Sequence, residues 1–278
     1  MKAISLPQGF RESRRGAVRL LARHGLLEPL VEAGALSGAP AGGWGERLCD
    51  VGGGRRPLLQ IRLKGISEPL LVKRLRRGGW LAPVLRNLFL PRRALSEIAV
   101  VERLRARAVP TPPILAARLI GRFGYSGLVT VELITSRLEA ARDLRSWLLD
   151  RPAPALRSAI LGRAGAAVAA MHRAGVLHED LNLGNLLVDA GGRVHLLDLG
   201  RSRISSPGAA GRAANLARLY RSGVKWKLVP QSLSSTDRAR FLRGYAPDEW
   251  KVVHRLSARS FLRSLPFHRL SWWLSSRA

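Results

Sequence analysis

Cysteine and acidic residues are both scarce in this chain of 278 residues. Cys49 is the only cysteine, which excludes an intrachain disulfide and a metal site built from thiolates. Asp and Glu total 19 against 47 Lys and Arg, so the formal net charge is +28 at pH 7. A charge of this size attracts polyanions, which include nucleic acids, anionic lipid head groups and phosphorylated glycans. The basic runs contain few interleaved aromatic residues, so we expect no specific nucleic-acid partner.

Long apolar segments are also missing from the sequence. No window holds about 18 consecutive apolar residues, so the sequence predicts no membrane-spanning helix. Residues 1–15 lack the apolar core of a signal peptide. We therefore expect a cytoplasmic protein and a monomer, either in solution or held loosely on an anionic membrane surface.

The sequence contains no Gly-x-Gly-x-x-Gly phosphate-binding loop. The run Gly52, Gly53 and Gly54 suits a close approach of the backbone to phosphates, because glycine adopts conformations that other residues avoid. A plain hairpin turn explains the run equally well. Both interpretations stay open.

The apolar pattern divides the chain into a first half rich in strands and a second half rich in helices. In the first half, residues 16–33 and 94–108 have helical spacing, and residues 58–63, 70–75 and 128–134 indicate strands. The helices predicted in the second half span residues 142–149, 157–174, 208–222, 236–244 and 247–264. The prediction is an α+β fold of two lobes with a ligand site in the cleft between them. The N-lobe, residues 1–135, has an antiparallel sheet and an extra N-terminal helix, and the C-lobe, residues 136–278, is mainly helical.

The strongest chemical signal lies between residues 178 and 200. Asp180 and Asn185 precede a predicted short strand, residues 186–188, and a turn then leads to a second strand that ends at Asp198. Phosphoryl transfer from ATP needs a carboxylate that accepts the proton of the attacking hydroxyl, and oxygen ligands that hold Mg²⁺ on the phosphates. Asp180 suits the first role, and Asn185 and Asp198 suit the second. Two strands joined by a tight turn are expected to bring Asn185 and Asp198 side by side.

The scarcity of acids strengthens this interpretation. Between Arg151 and Thr236 the only acids are Glu179, Asp180, Asp189 and Asp198. The alternative is a purely structural role, in which Asp180 caps a helix or pairs with a nearby Arg. His178 has two possible roles, as a chemical base or as a scaffold residue that packs under the loop, and the scaffold role is favoured.

The pattern His178-x-Asp180-Leu181-x-x-x-Asn185, followed by Asp198-x-Gly200, resembles the catalytic and metal-binding loops of the protein-kinase-like superfamily. Other segments resemble one branch of it, the bacterial lipopolysaccharide core kinases that phosphorylate Kdo or heptose. These segments are the basic strand with its double glycine at residues 71–79, the helix and exit loop at residues 96–112, and the run at residues 215–222.

The resemblance implies a protein-kinase-like fold with ATP and Mg²⁺ as cofactors. Lys73 would contact the α- and β-phosphates and pair with Glu97 on the N-lobe helix, with Glu102 as the rival partner. Glu132 would lie at the hinge that meets the adenine, where the useful groups are the backbone N–H and C=O and not the side chain.

The function implied is phosphorylation of a Kdo or heptose hydroxyl on a lipid-linked anionic glycan, at the cytoplasmic face of the inner membrane. Two alternatives stay open: a kinase for proteins or small molecules, similar to the aminoglycoside phosphotransferases, and a nucleotide-binding scaffold without catalysis. Arg201 and Arg203 either meet an anionic acceptor or lie on the solvated face. The aromatic and basic tail, residues 261–278, either packs on the C-lobe or lies in the membrane interface.

Overall fold

The computed structural model describes residues 6–39, 43–44, 46–51, 58–76, 87–121, 127–226, 228 and 233–275. The chain divides into two compact units. The first unit combines Met1–Glu102 with Pro112–Leu138, and the second combines Arg103–Thr111 with Glu139–Ala278.

The first unit is built on a seven-stranded sheet in which every neighbouring pair is antiparallel. The order of its strands is β1-β2-β6-β7-β5-β4-β3. The strands are β1 (Phe10–Arg15), β2 (Val18–Arg23), β3 (Glu46–Val51), β4 (Leu58–Arg62), β5 (Leu70–Arg74), β6 (Ile114–Gly121) and β7 (Val129–Ser136). The helices are α1 (Leu27–Glu32) and α2 (Arg92–Arg105), the second of which runs into the neighbouring unit.

The helix predicted over residues 16–33 is largely wrong. Strand β2 takes up six residues of that segment, and α1 covers only six. Strand β2 lies between β1 and β6, and Leu20, Leu21 and Ala22 are fully buried in succession. A strand that is covered on both faces carries a continuous apolar run, which periodicity cannot distinguish from a buried helix.

The remaining predictions for the first unit fare better. Residues 58–63, 70–75 and 128–134 correspond to β4, β5 and β7, and residues 94–108 correspond to α2. Strands β1, β3 and β6 were not predicted. The core on one side of the sheet contains the fully buried side chains of Leu20, Leu30, Ile61 and Ile134 together with Trp44.

The second unit is mainly helical and carries two small antiparallel sheets, with strand orders β11-β10-β8 and β12-β9. Its helices are α3 (Leu144–Leu149), α4 (Pro154–Arg173), α5 (Ala209–Lys225), α6 (Ser235–Tyr245) and α7 (Trp250–Ser275). Its strands are β8 (Arg142–Asp143), β9 (Val176–His178), β10 (Leu186–Val188), β11 (Val194–Leu196) and β12 (Ser202–Ile204). No helix in the described part of the chain is long and apolar enough to cross a bilayer.

Helices α4 and α6 pack closely because glycine replaces a side chain at both contact points. A Cβ atom on Gly165 would collide with the Phe241 carbonyl, and one on Gly244 would collide with the Gly162 carbonyl. Helix α4 also contacts β9 and β11, so it supports the loop that follows β9.

Candidate active site

The loop after β9 is fixed to α5 at two points. The Asn215 side chain donates a hydrogen bond to the His178 carbonyl at 2.7 Å and accepts one from the His178 N–H at 3.3 Å. Further along, the Ser222 hydroxyl accepts a hydrogen bond from the Leu183 N–H at 3.1 Å. Both α5 side chains are buried, so the loop between residues 178 and 183 is held at each end by the interior of the second unit.

The His178 ring is a buried strut beneath this loop. Its Nδ1 accepts a hydrogen bond from the Asp180 N–H at 3.2 Å, so Nε2 carries the proton and donates to the Leu197 carbonyl at 2.9 Å. Burial lowers the pKa of His178 below its ordinary value, which favours the neutral ring that this pair of bonds requires. With both nitrogens occupied, His178 positions the loop and has no nitrogen left to act as a chemical base.

The backbone carbonyl of Asp180 is a second anchor of the loop. It accepts hydrogen bonds from the side-chain amides of Asn182 at 2.9 Å and Asn185 at 2.8 Å. The Asn182 side chain also accepts a hydrogen bond from the Gly184 N–H, which caps the single 3₁₀ turn Leu183–Asn185. The Asp180 carboxylate takes part in none of these bonds and is partly exposed. The loop is therefore rigid at its backbone, while its carboxylate is left for chemistry.

Strands β10 and β11 bring Asn185 and Asp198 to the same end of a hairpin, as predicted. Leu186 pairs with Leu196, and the Leu197 N–H donates to the Asn185 carbonyl at 2.9 Å, so Asp198 follows directly. Asp198 has φ 54° and ψ 49°, a left-handed conformation that is uncommon for residues other than glycine. Asp adopts this conformation more readily than most residues, and strained backbone of this kind, which costs about 1–3 kcal/mol, is enriched at functional sites.

Asn185 and Asp198 supply oxygen donors of the kind that Mg²⁺ prefers. The Asn185 amide nitrogen is occupied by the Asp180 carbonyl, which leaves the amide oxygen as the atom able to bind a cation. Within the described ranges there is no cluster of three or more His, Cys, Asp or Glu side chains that could hold a metal alone. Two protein ligands are enough for Mg²⁺ that is otherwise bound by phosphates and water.

The first unit carries a separate pair of predicted site residues. Lys73 on β5 lies 3.9 Å from the carboxylate of Glu97 on α2, and Glu97 is buried. Glu102, the rival partner, instead pairs with Arg23 at 2.5 Å. The structure therefore favours Glu97 over Glu102 as the partner of Lys73.

The sequence profile of the lipopolysaccharide kinase (Kdo/WaaP) family matches residues 62–245, about two thirds of the chain. The chain belongs to this family. The family recognition made from the motifs is confirmed.

Curated relatives carry the name of one activity. The chain is 36% identical over 161 residues to the 3-deoxy-D-manno-octulosonic acid kinase of Xanthomonas campestris pv. campestris (strain B100), and this match covers 56% of the chain. It spans 61% of the length of that relative. A protein of the same name from Stenotrophomonas maltophilia (strain K279a) is 34% identical over 213 residues, which cover 73% of the chain and 80% of the relative.

A solved structure supports the fold. WaaP in complex with acyl carrier protein matches with a TM-score of 0.55 and 22% identity, over 87% of this chain and 98% of that one. The kinase-like fold class is thereby confirmed, with an antiparallel sheet and a mainly helical second unit.

The geometry does not support the predicted adenine contact at Glu132. The residue lies inside β7, where its backbone pairs with Arg74 on one side and Arg118 on the other. Its buried carboxylate accepts a hydrogen bond from Arg118 at 2.8 Å. Because both edges of the strand are occupied, the backbone of Glu132 has no group free for a ligand.

The remaining predicted residues have separate outcomes. Gly52, Gly53 and Gly54 are outside the described residues. Arg203 pairs with Glu179 at 3.3 Å, and Arg201 is exposed. In the predicted tail, the Phe261 ring packs edge-on against Tyr220 with centroids 5.0 Å apart, which favours core packing for that residue.

Sequence reasoning missed the two buried polar residues that organise the units. Asn215 was noted only as part of a family-like run, although a polar side chain on the buried face of an amphipathic helix is itself a signal. Arg118 is fully buried and donates to the carbonyls of Ala35, Ser37 and Ala39 as well as to Glu132. Nothing in the pattern distinguishes Arg118 from the other arginines of so basic a chain.

Proposed function

We propose that this chain is an ATP-dependent kinase that phosphorylates a hydroxyl of 3-deoxy-D-manno-octulosonic acid (Kdo) in the lipopolysaccharide inner core. The observation that carries the proposal is the loop from His178 to Asn185, whose backbone is fixed while no described residue pairs with the Asp180 carboxylate. Family membership supplies the substrate class, and the names of the curated relatives favour Kdo over heptose.

Each site residue has a defined task in this proposal. The Asp180 carboxylate accepts the proton of the acceptor hydroxyl as its oxygen attacks the γ-phosphorus and ADP leaves. Lys73 contacts the α- and β-phosphates, and Glu97 orients its ammonium group. Asn185 and Asp198 hold Mg²⁺, which when bound neutralises the charge of the phosphate oxygens.

His178 supports Asp180 without exchanging protons with the substrate. The bond from the Asp180 N–H to Nδ1 fixes the backbone of the base, and the bond from Nε2 to the Leu197 carbonyl ties it to the residue before Asp198. One neutral ring thus links the loop of the proton acceptor to the loop of a metal ligand.

The decisive test is ATP turnover by the purified full chain with a panel of acceptors. Kdo-bearing lipid A, a heptose-extended inner core, a basic peptide and an aminoglycoside are offered in parallel, and phosphate transfer is followed with radiolabelled ATP. The proposal expects transfer to the Kdo acceptor. Transfer only to the heptose core, the peptide or the aminoglycoside refutes the assignment to Kdo, and ATP binding without any transfer favours the scaffold alternative.

The proposed place of action is the cytoplasmic face of the inner membrane, as a peripheral protein. Support comes from the net charge of +28 and from the lipid-linked nature of the proposed acceptor. Basic residues contribute about 1 kcal/mol each near an anionic surface, and the attraction decays over roughly 8 Å at physiological salt. Sedimentation with phosphatidylglycerol vesicles should therefore capture the protein at low salt and release it at high salt. Deleting residues 261–278 should weaken capture, without loss of ATP hydrolysis, if the tail enters the interface.

A protein partner is also proposed. The structurally similar WaaP was solved in complex with acyl carrier protein. In this chain an apolar cavity in the second unit is lined by leucines, among them Leu144, Leu161, Leu216 and Leu219, which suits an acyl group. Pull-down with acylated and unacylated acyl carrier protein tests this, and equal failure of both forms refutes it.

A further inference from the structure

Helix α5 presents Asn215 and Ser222 to the catalytic loop, and Arg218 lies between them along the helix, at the exposed edge of that face. Asn215 and Ser222 are two helical turns apart, and both bind the loop through hydrogen bonds. Arg218 is three residues after the first and four before the second, and residues at those spacings are neighbours on a helix surface. The exposed side chain of Arg218 therefore leaves the helix between the two anchor points, beside the loop that carries Asp180.

Electrostatic effects on the buried His178 ring agree with this placement. The charges of Asp198 and Asp180 act to raise the pKa of His178, and the charge of Arg218 acts to lower it. All three charges are thus within electrostatic reach of the same ring.

Arg218 belongs to a group of cations on the last two turns of α5. We call Arg218, Arg221 and Lys225 the α5 cluster; their spacings of three and four residues place each beside the next. Partial burial lowers the pKa of Arg221, and the charge of Arg218 lowers it further, so the two guanidinium groups are close enough to repel each other. A bound anion relieves such repulsion.

Arg218 has no ion-pair partner among the residues that the structure describes. Glu179, the exposed acid of the loop, lies 3.3 Å from Arg203 instead. The only other acid of the loop is Asp180, whose carboxylate must stay unpaired to accept a proton in the proposed reaction.

We propose that Arg218 and Arg221 bind an acidic group of the acceptor, a carboxylate or a phosphate, and thereby hold the acceptor hydroxyl at Asp180. The inference rests on the proposed function and extends it from a reaction to an acceptor-binding site. Guanidinium groups suit this task because they bind carboxylate and phosphate oxygens through two parallel hydrogen bonds.

The test compares Arg218→Gln and Arg221→Gln with the matched control Arg259→Gln. Arg259 is likewise an exposed arginine on a helix of the second unit, and it is remote in sequence from the loop. Hydrogen bonds to charged groups correspond to roughly 10- to 100-fold in affinity, so each α5 variant should raise the KM for the acceptor by about that factor. The KM for ATP should stay unchanged, the control should behave as the wild type, and Arg218→Lys should recover part of the loss. Equal unfolding midpoints exclude a folding defect.

Two modified acceptors identify the acidic group. One carries the Kdo carboxylate as its methyl ester, and the other lacks the phosphates of lipid A. If Arg218 binds the carboxylate, wild type and Arg218→Gln become equally poor on the ester but still differ on the dephosphorylated acceptor; the reverse pattern identifies a phosphate. The inference is overturned if the KM of the variant differs from that of the wild type by the same factor on all acceptors. It is also overturned if the KM for the native acceptor is unchanged. The proposed function survives that result, because it fails only when the wild type transfers no phosphate to the Kdo acceptor.

Discussion

Glu132 has one role in the sequence-based prediction and another in the structure. The sequence predicts that it lies at the hinge that meets the adenine, whereas the structure places its carboxylate in a buried ion pair. The proposed change is Glu132→Ala, with Glu132→Gln as the variant that keeps a hydrogen-bond acceptor. We expect both to lower the free energy of unfolding while the KM for ATP stays near the wild-type value. The reason is that Arg118 is fully buried and would lose its only carboxylate partner within the described part of the unit.

The magnitude follows from the contacts of Arg118. Removing one partner of a buried ion pair costs about 3–5 kcal/mol, because the remaining charge stays buried. Arg118 would keep its three carbonyl acceptors in residues 35–39, so the lower end of the range applies, about 3 kcal/mol for Glu132→Ala. That corresponds to a fall in Tm of roughly 6–12 °C for a unit of this size. Glu132→Gln should lose about half as much, since its amide oxygen can still accept from Arg118.

A matched control is the pair of Glu12 and Arg19 in the same sheet. Its contact distance is 2.6 Å, but each side chain is 30% exposed. Solvent-exposed pairs contribute about 0–1 kcal/mol, so Glu12→Ala should leave the urea midpoint almost unchanged. The reasoning is refuted if Glu132→Ala keeps the wild-type urea midpoint.

Three further predictions concern the catalytic residues and the stability of the second unit. Asp180→Asn should lower turnover by about 10²–10⁴ with ATP affinity retained, whereas Asp198→Asn, which tolerates the left-handed backbone, should weaken Mg²⁺-dependent ATP binding in calorimetry. Lys73→Ala and Glu97→Ala should be non-additive in kcat/KM, and additive losses would show that the 3.9 Å pair does not act as a unit. Burial acts to raise the pKa of Asp237, but hydrogen bonds from an arginine and a capping serine outweigh it and hold that pKa at about 2. The ionised Asp237 therefore stabilises the fold fully above pH 4, and this contribution is lost as the pH falls towards 2. Urea midpoints for wild type and Asp237→Asn should converge over that interval.

The catalytic loops were predictable because their residue types and spacing are dictated by chemistry. The two-glycine turn joins β10 and β11 in a register that pairs Leu186 with Leu196. This register brings Asn185 and Asp198 to the same end of the hairpin. Helices α2 and α5 have one buried and one solvated face, which makes apolar periodicity reliable, whereas the second half of α4 is buried on most sides.

What could not be predicted depends on contacts between residues distant in sequence. Whether Lys73 pairs with Glu97 or Glu102 is decided by Arg23, which lies on β2 and takes Glu102. The burial of β2 on both faces removed the alternation by which strands are recognised, and the same burial made Glu132 an internal ion-pair partner. Local pattern carries no information on either point.

The distribution of partners among carboxylates gives an independent argument for Asp180. Most acids that are buried or half-buried in the described part of the chain have a cationic or capping partner, and the pairs are Glu97 with Lys73, Glu102 with Arg23, Glu132 with Arg118, Asp143 with Ser146, Asp189 with His195 and Asp237 with Arg157. Asp180 is half-buried, yet no hydrogen bond or ion pair from a described residue reaches its carboxylate. The chain has 47 Lys and Arg, any of which could stabilise a half-buried carboxylate by forming an ion pair with it. An arginine partner would lower the pKa of the group and weaken it as a proton acceptor, so the absence of a partner is what its role in phosphoryl transfer requires.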